Sequence, residues 1–173
     1  YIGIELAREA KPAFDEFGFG FIWGKEWNPV KQDFHALPAI TGTIGAALLA
    51  LLFAVPIALG AAIFLTGLAP SWLRLPATYV IETLASIPSV IFGLWALFIL
   101  VPFVRETIQP FFIDYFRWIP LFDGPAFGIS IFAAGLILAV MILPIVTSIT
   151  REILIAVPNS QREAMLALGS TKW

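Results

Sequence analysis

Three stretches without a charged side chain bound what this chain can become: residues 36–73, 83–104 and 124–150, of 38, 22 and 27 residues. Each exceeds the roughly 20 apolar residues a helix needs to cross the hydrocarbon of a bilayer. A spanning strand needs only about 9–11 residues and alternates apolar with polar side chains, which none of these runs does. A helix satisfies its own backbone in lipid, so the expected architecture is all-α and membrane-integral, with three spans near 40–66, 84–103 and 127–150. An apolar fraction of 60% agrees, against roughly 45–50% in ordinary soluble domains. None of the runs is N-terminal, and each is longer than the apolar core of a signal peptide.

Several chemistries drop out at once. The chain has no cysteine, which removes disulfides, thiol catalysis and cysteine-based metal sites. A net charge of −2 without a basic cluster gives no footprint for nucleic acid. His35 stands alone and is read as an interfacial histidine, since a metal site needs partners at ligand spacing. No H-E-x-x-H, G-x-S-x-G or in-membrane Asp pair suggests an intramembrane enzyme. The charge-free runs also lack the midplane ionisable groups that a secondary transporter uses for ion coupling.

Residues 1–36 are expected to form an interfacial segment after a missing or partial first helix. They mix six acids and four bases with several aromatics, a composition suited to the membrane–water boundary. Residues 37–173 then make one domain that holds the three spans. Its first span carries small residues at every fourth position: Gly42, Ala46, Ala50, Ala54, Ala58 and Ala62. In lipid, such a row lets helix backbones approach and gain dispersion contacts; the alternative is coincidence in an Ala-rich helix. Pro56, in the same helix, is expected to kink it.

The connection 67–81, with Pro70, Pro76, Trp72, Arg74 and Tyr79, reads as a short interfacial loop. In the second span Pro88 and Ser89 interrupt the helix about one and a half turns in. Such a break either lines a pathway or is a packing kink with Ser86 and Ser89 bonding back to the helix. Residues 105–123 read as interfacial, with Asp114 and Arg117 spaced to pair. The third span carries Gly128, Gly135, Ala139 and Pro144. If the C-terminal tail is cytoplasmic, four Lys and Arg fall inside and six outside, so positive charge does not orient the chain.

After the third span comes "VPNSQREAMLALGSTKW" (157–173), the coupling segment 158–173 being its main part. Ser160 and Glu163 have the Ser-x-x-Glu spacing of a capping box, and Gly169 suits a left-handed stop. Between them lies a short helix with little bulk at Ala164 and Ala167 and with Met165 and Leu168 three apart. It suits either insertion into a partner's groove or rest on lipid.

"REAMLALGSTKW" (162–173) resembles the opening of the EAA motif of ABC-transporter permeases. Glu163, Ala164 and Gly169 match the motif, and Met165 stands where a second Ala is usual. "EWNPV" (26–30), "ALPAITGT" (36–43) and "ETLASIPSVIFGLWALFILVPFVR" (82–105) are similar to the phosphate-importing branch of that family. The resemblance implies a MetI-like permease of about six helices. This chain would hold the second, third and fourth of them plus a cytoplasmic coupling helix, so by itself it is not expected to transport.

The resemblance also implies that Arg162, Glu163, Ala164, Met165, Leu168 and Gly169 meet an ATPase subunit. Further implied partners are a sister permease, two ATPase subunits and a periplasmic phosphate-binding protein in a bacterial inner membrane. No G-x-x-x-x-G-K-[ST] occurs, so ATP and Mg are expected on the partner ATPase and no cofactor on this chain. Runner-up readings are the sister phosphate permease or a permease for sulfate or molybdate. Pro88 and Ser89 are the candidate pathway positions, where backbone amides and a hydroxyl offer weak anion contacts.

Overall fold

The computed structural model describes residues 1–116, 118 and 127–169, apart from the side chains of Asn159 and Arg162. It divides into two compact units, Tyr1–Ala46 and Ala47–Trp173, and the first long span crosses the boundary between them.

In the first unit, α1 (Ile2–Phe17) is followed by a single turn, α2 (Gly20–Trp23). Ala10, Ala13, Phe14 and Phe17 form the shielded face of α1, at the i, i+3, i+4, i+7 spacing of an amphipathic helix, while its charged residues stay exposed. Phe21 packs on that face, its ring centroid 5.9 Å from Phe14 and 6.1 Å from Phe17. A small hairpin follows, with β1 (Trp27–Asn28) antiparallel to β2 (Asp33–Phe34). Asn28 builds the turn by accepting from the amides of Val30 at 3.0 Å and Lys31 at 3.2 Å, and Trp27 meets Phe34 edge-on across the strands. His35 is held between Asp33 (Oδ1 at 3.3 Å) and the Glu26 carbonyl (3.2 Å). A Cβ on Gly24 would run into the His35 ring, so the hairpin closes onto this glycine.

Among the described residues, three helices are long and apolar enough to cross a membrane: α3 (Leu37–Leu68), α5 (Ser89–Phe116) and α6 (Ile131–Ala156). Their existence agrees with the charge-free runs, but their bounds differ. The helix α3 begins three residues before the expected start and ends in a π turn, Phe64–Leu68. It continues through Pro56. Ser130 starts α6 by accepting from the Ala133 amide at 3.2 Å, and the helix runs six residues past the expected end.

Two expectations are overturned here. The connection 67–81 is no loop, because residues 71–85 form α4 (Ser71–Ala85) with Pro76 inside it. Pro70 sits at the N-cap in an extended conformation, where its missing N–H costs nothing. Side-chain bonds then tie α4 down: Arg74 Nη2 donates to the Ala69 carbonyl, Thr78 to Arg74, and Thr83 to Tyr79. Likewise 105–116 is no separate interfacial stretch but the continuation of α5, through π turns at Ala96–Leu100 and Val104–Ile108. The spans therefore take in Arg105, Glu106 and Asp114 in α5 and Arg151 and Glu152 in α6, beyond their charge-free stretches. Arg117, the expected partner of Asp114, lies outside the described residues.

Within the second unit, Ala50 and Ala54 of α3 form a core with Ala139 of α6, and Leu138, Ile142 and Leu143 pack around it. Phe132 of α6 is met by Phe53 at 6.3 Å and by Phe112 of α5 at 5.8 Å between ring centroids. The helix α4 lies against α6.

Candidate functional site

The small-residue row of α3 is the most completely buried feature among the described residues. Ala46 is 7% exposed, Ala50 3%, and Ala54, Ala58 and Ala62 have no exposure. Gly42 differs: it is half-buried, and a Cβ added there would meet nothing within 4 Å. An α-helix turns about 100° per residue, so each step of four overshoots a full turn by about 40°. From Ala46 to Ala62 the row therefore sweeps about 160° around the helix, more than one straight neighbour covers. Ala139 of α6 meets this row, and the buried residues of α6 are Ala133, Gly135, Ala139, Pro144 and Thr147. Thr147 hides its hydroxyl by donating to the Leu143 carbonyl at 2.8 Å.

Pro88 and Ser89 do not lie where the sequence reading puts them. The break occupies residues 86–88, between the end of α4 and the first residue of α5, so it opens the span instead of interrupting it. Proline has no N–H and disfavours helix at the residue before it, which stops α4 and restarts the chain at Ser89. Ser86 bonds back, its hydroxyl donating to the Thr83 carbonyl at 2.7 Å and its amide to Glu82 and Thr83. Ser89 makes no capping bond; it and Pro88 are exposed, and the first turn of α5 closes with Ile91 N–H donating to the Pro88 carbonyl.

The C-terminal segment is a distinct helix, α7 (Asn159–Ala167), and the expected capping box does not form. Pro158 is the N-cap, with no side-chain cap bond, and Ser160 lies already inside the helix. The proline ring fixes its own φ near the helical value, and the helix begins at Asn159, two residues too early for Ser160 to cap it. Its other end follows the sequence reading. Leu168 donates to the Ala164 carbonyl, Gly169 to Leu166, and Gly169 adopts φ +84°, a region open to glycine at little cost. Glu163, Ala164, Met165 and Leu168 are all exposed, Leu168 to 85%. A helix with Met and Leu side chains this exposed offers an unfilled apolar contact surface. The side chain of Arg162 and residues 170–173 lie outside the described set.

Sequence reading misses one constellation: Arg74 and Glu82 on α4 and Arg151 on α6 border a common cleft. The first and last of these are 77 residues apart, and only the packing of α4 on α6 joins them.

This geometry is that of an integral membrane subunit with a helical appendage after its last described span. Residues 54–173, more than half of the chain, match the family model described as binding-protein-dependent transport system inner membrane component, and the chain belongs to that family. A relative named phosphate transport system permease protein PstC, from Pasteurella multocida, is 48% identical over 165 residues, covering 93% of this chain and 52% of that protein. A protein of the same name from Mesorhizobium japonicum is 44% identical over 176 residues, covering 99% and 54%. A probable PstC from Methanocaldococcus jannaschii is 34% identical over 169 residues, covering 95% and 54%. The chain thus spans about half the length of the curated relatives it matches. No solved structure matches it.

Proposed function

We propose that this chain is the membrane-spanning part of a PstC-type permease subunit in an ATP-driven importer of inorganic phosphate. The observation that carries this reading is 44–48% identity, over nearly the whole chain, to proteins named for phosphate transport. Its partners are then a sister permease of the PstA kind, two ATPase subunits of the PstB kind and a periplasmic phosphate-binding protein of the PstS kind, in a bacterial inner membrane. ATP and Mg belong to the ATPase subunits.

In this reading α7 is the coupling helix. Glu163, Ala164, Met165 and Leu168 present their side chains to the ATPase, Arg162 flanks them, and Gly169 lets the chain turn away after the helix. ATP-driven closure of the two ATPase subunits moves α7, and α6 passes the displacement to α3 through their buried small-residue contact. The phosphate ion passes close to Pro88 and Ser89, where the first amides of α5 and the Ser89 hydroxyl make transient contacts.

The test is co-expression of the full-length subunit with the sister permease and the ATPase. Purification should carry the ATPase along, and Glu163→Arg, which reverses a charge exposed on α7, should lose it while the two permeases stay together. Retention of the ATPase by that variant would place the coupling surface elsewhere. Reconstituted vesicles should accumulate labelled phosphate in preference to sulfate or molybdate; the reverse preference would replace the substrate.

A further inference from the structure

We propose that the cleft between α4 and α6 seats the phosphate headgroup of an anionic phospholipid. The cleft has a volume of about 370 Å³, and its polar lining is Ser71, Arg74, Thr78, Tyr79 and Glu82 from α4 with Arg151 from α6. Two guanidinium groups face one carboxylate, leaving a single net positive charge, which matches the single negative charge of a phosphodiester.

Neither cation is locked in a direct salt bridge. Among the described residues the one ion pair is Asp33 with His35, so Glu82 shares the cleft with Arg74 and Arg151 without contacting either. Arg74 spends Nη2 on the Ala69 carbonyl, at the end of α3, and keeps its other donors. Arg151 Nε is buried and has no hydrogen-bond partner. A buried charged donor left unpaired is costly, and a phosphate oxygen is the acceptor best shaped to the guanidinium fork. The hydroxyls of Ser71 and Tyr79 add two further uncommitted donors.

Its surroundings favour a lipid over a free ion. The helix α4 lies between spans α3 and α5, hence at a membrane end, and α6 returns to that end after α5 has crossed. Its surface beside the cleft is apolar and strongly exposed, with Trp72 at 74% and Val80 at 57%, and the cleft-lining Leu75 and Tyr79 are each 64% exposed as well. Trp and Tyr at this level are the side chains that settle at the headgroup boundary, and basic pockets between spanning helices take anionic headgroups. A headgroup in the cleft would leave its acyl chains against α4; a free phosphate ion would leave that surface without an occupant.

The test uses the purified full-length protein titrated with phosphatidylglycerol or phosphatidylcholine, with retained lipid counted by native mass spectrometry. Phosphatidylglycerol should be retained over phosphatidylcholine, and retention should fall about fivefold for each of Arg74→Gln and Arg151→Gln. Glu82→Gln should raise retention, a gain that a damaged fold does not produce. Inorganic phosphate at millimolar concentration should leave retention unchanged. Equal retention of the two lipids, or the same retention in all three variants, would overturn the proposal. Displacement of phosphatidylglycerol by inorganic phosphate would overturn it too, by making the cleft a site for the free ion.

Discussion

The backbone amide of Gly128 donates to the side-chain carbonyl of Gln109 at 2.9 Å, tying the approach to α6 onto the later half of α5. Gly128 is buried at φ +78°, and a Cβ there would come within 2.8 Å of the Val101 carbonyl oxygen and 2.9 Å of Arg105 Cβ. Gly128→Ala therefore meets both backbone strain and a collision, the strain alone being worth about 1–2 kcal/mol. Gln109→Ala keeps the space but strands a buried donor, at about 1–3 kcal/mol. Both variants of the full-length protein should lower its unfolding temperature in detergent, Gly128→Ala more. An unchanged midpoint in Gly128→Ala would mean that this close approach is not made in the membrane.

The α3 seam should respond to added volume. Ala54 has no exposure and contacts α6, so Ala54→Leu must push the helices apart, at a cost of about 1–3 kcal/mol. Leu48, on the same helix and 62% exposed, should tolerate Leu48→Ala with little loss. Thermal unfolding of the two variants side by side checks the contrast, and equal effects would remove the seam as a packing surface.

Gly169 stands in open space, with nothing within 4 Å of an added Cβ, so a substitution there acts through backbone conformation alone. At φ +84° a β-branched residue is strained, whereas Asn enters this region more readily. Gly169→Val should uncouple ATP hydrolysis from phosphate uptake in reconstituted vesicles, and Gly169→Asn should retain most of the coupling. Normal uptake by Gly169→Val would end the role given to this turn.

Ser89→Ala removes an exposed hydroxyl from the first turn of α5. If that hydroxyl touches the passing ion, KM for phosphate should rise a few-fold, in keeping with the roughly 0.5–1.5 kcal/mol of one hydrogen bond. Uptake kinetics identical to the parent would take Ser89 out of the pathway.

Spans were legible because each contains a charge-free run longer than the roughly 20 residues that cross a bilayer, and nothing local competes with that signal. Their ends were not legible from charge alone. A helix stops where its backbone is capped or broken, so Ser130 and Pro88 set the starts of α6 and α5, while Arg105 and Arg151 are simply carried inside. Pro70 and Pro76 made α4 look like a loop, although a proline at the N-cap is compatible with a helix. Ser160 had the spacing of a cap but Pro158 had already taken the position. The alanine period and Gly169 were visible as patterns; the left-handed turn follows from steric rules local to the backbone, while the burial of the alanines comes from packing against other helices. The pairing of Arg74 with Arg151 depends on how α4 packs on α6, which no local pattern encodes.

A contact with methyl groups at its centre has low relief there. Ala50 and Ala54 of α3 offer Ala139 of α6 only shallow bumps, so at that point two backbones come close without interlocking. Leu138, Ile142 and Leu143 pack around it and Phe53 meets Phe132, and these larger side chains act like teeth that hold the two helices in one register. The α3–α6 contact is thus a bearing surface with stops.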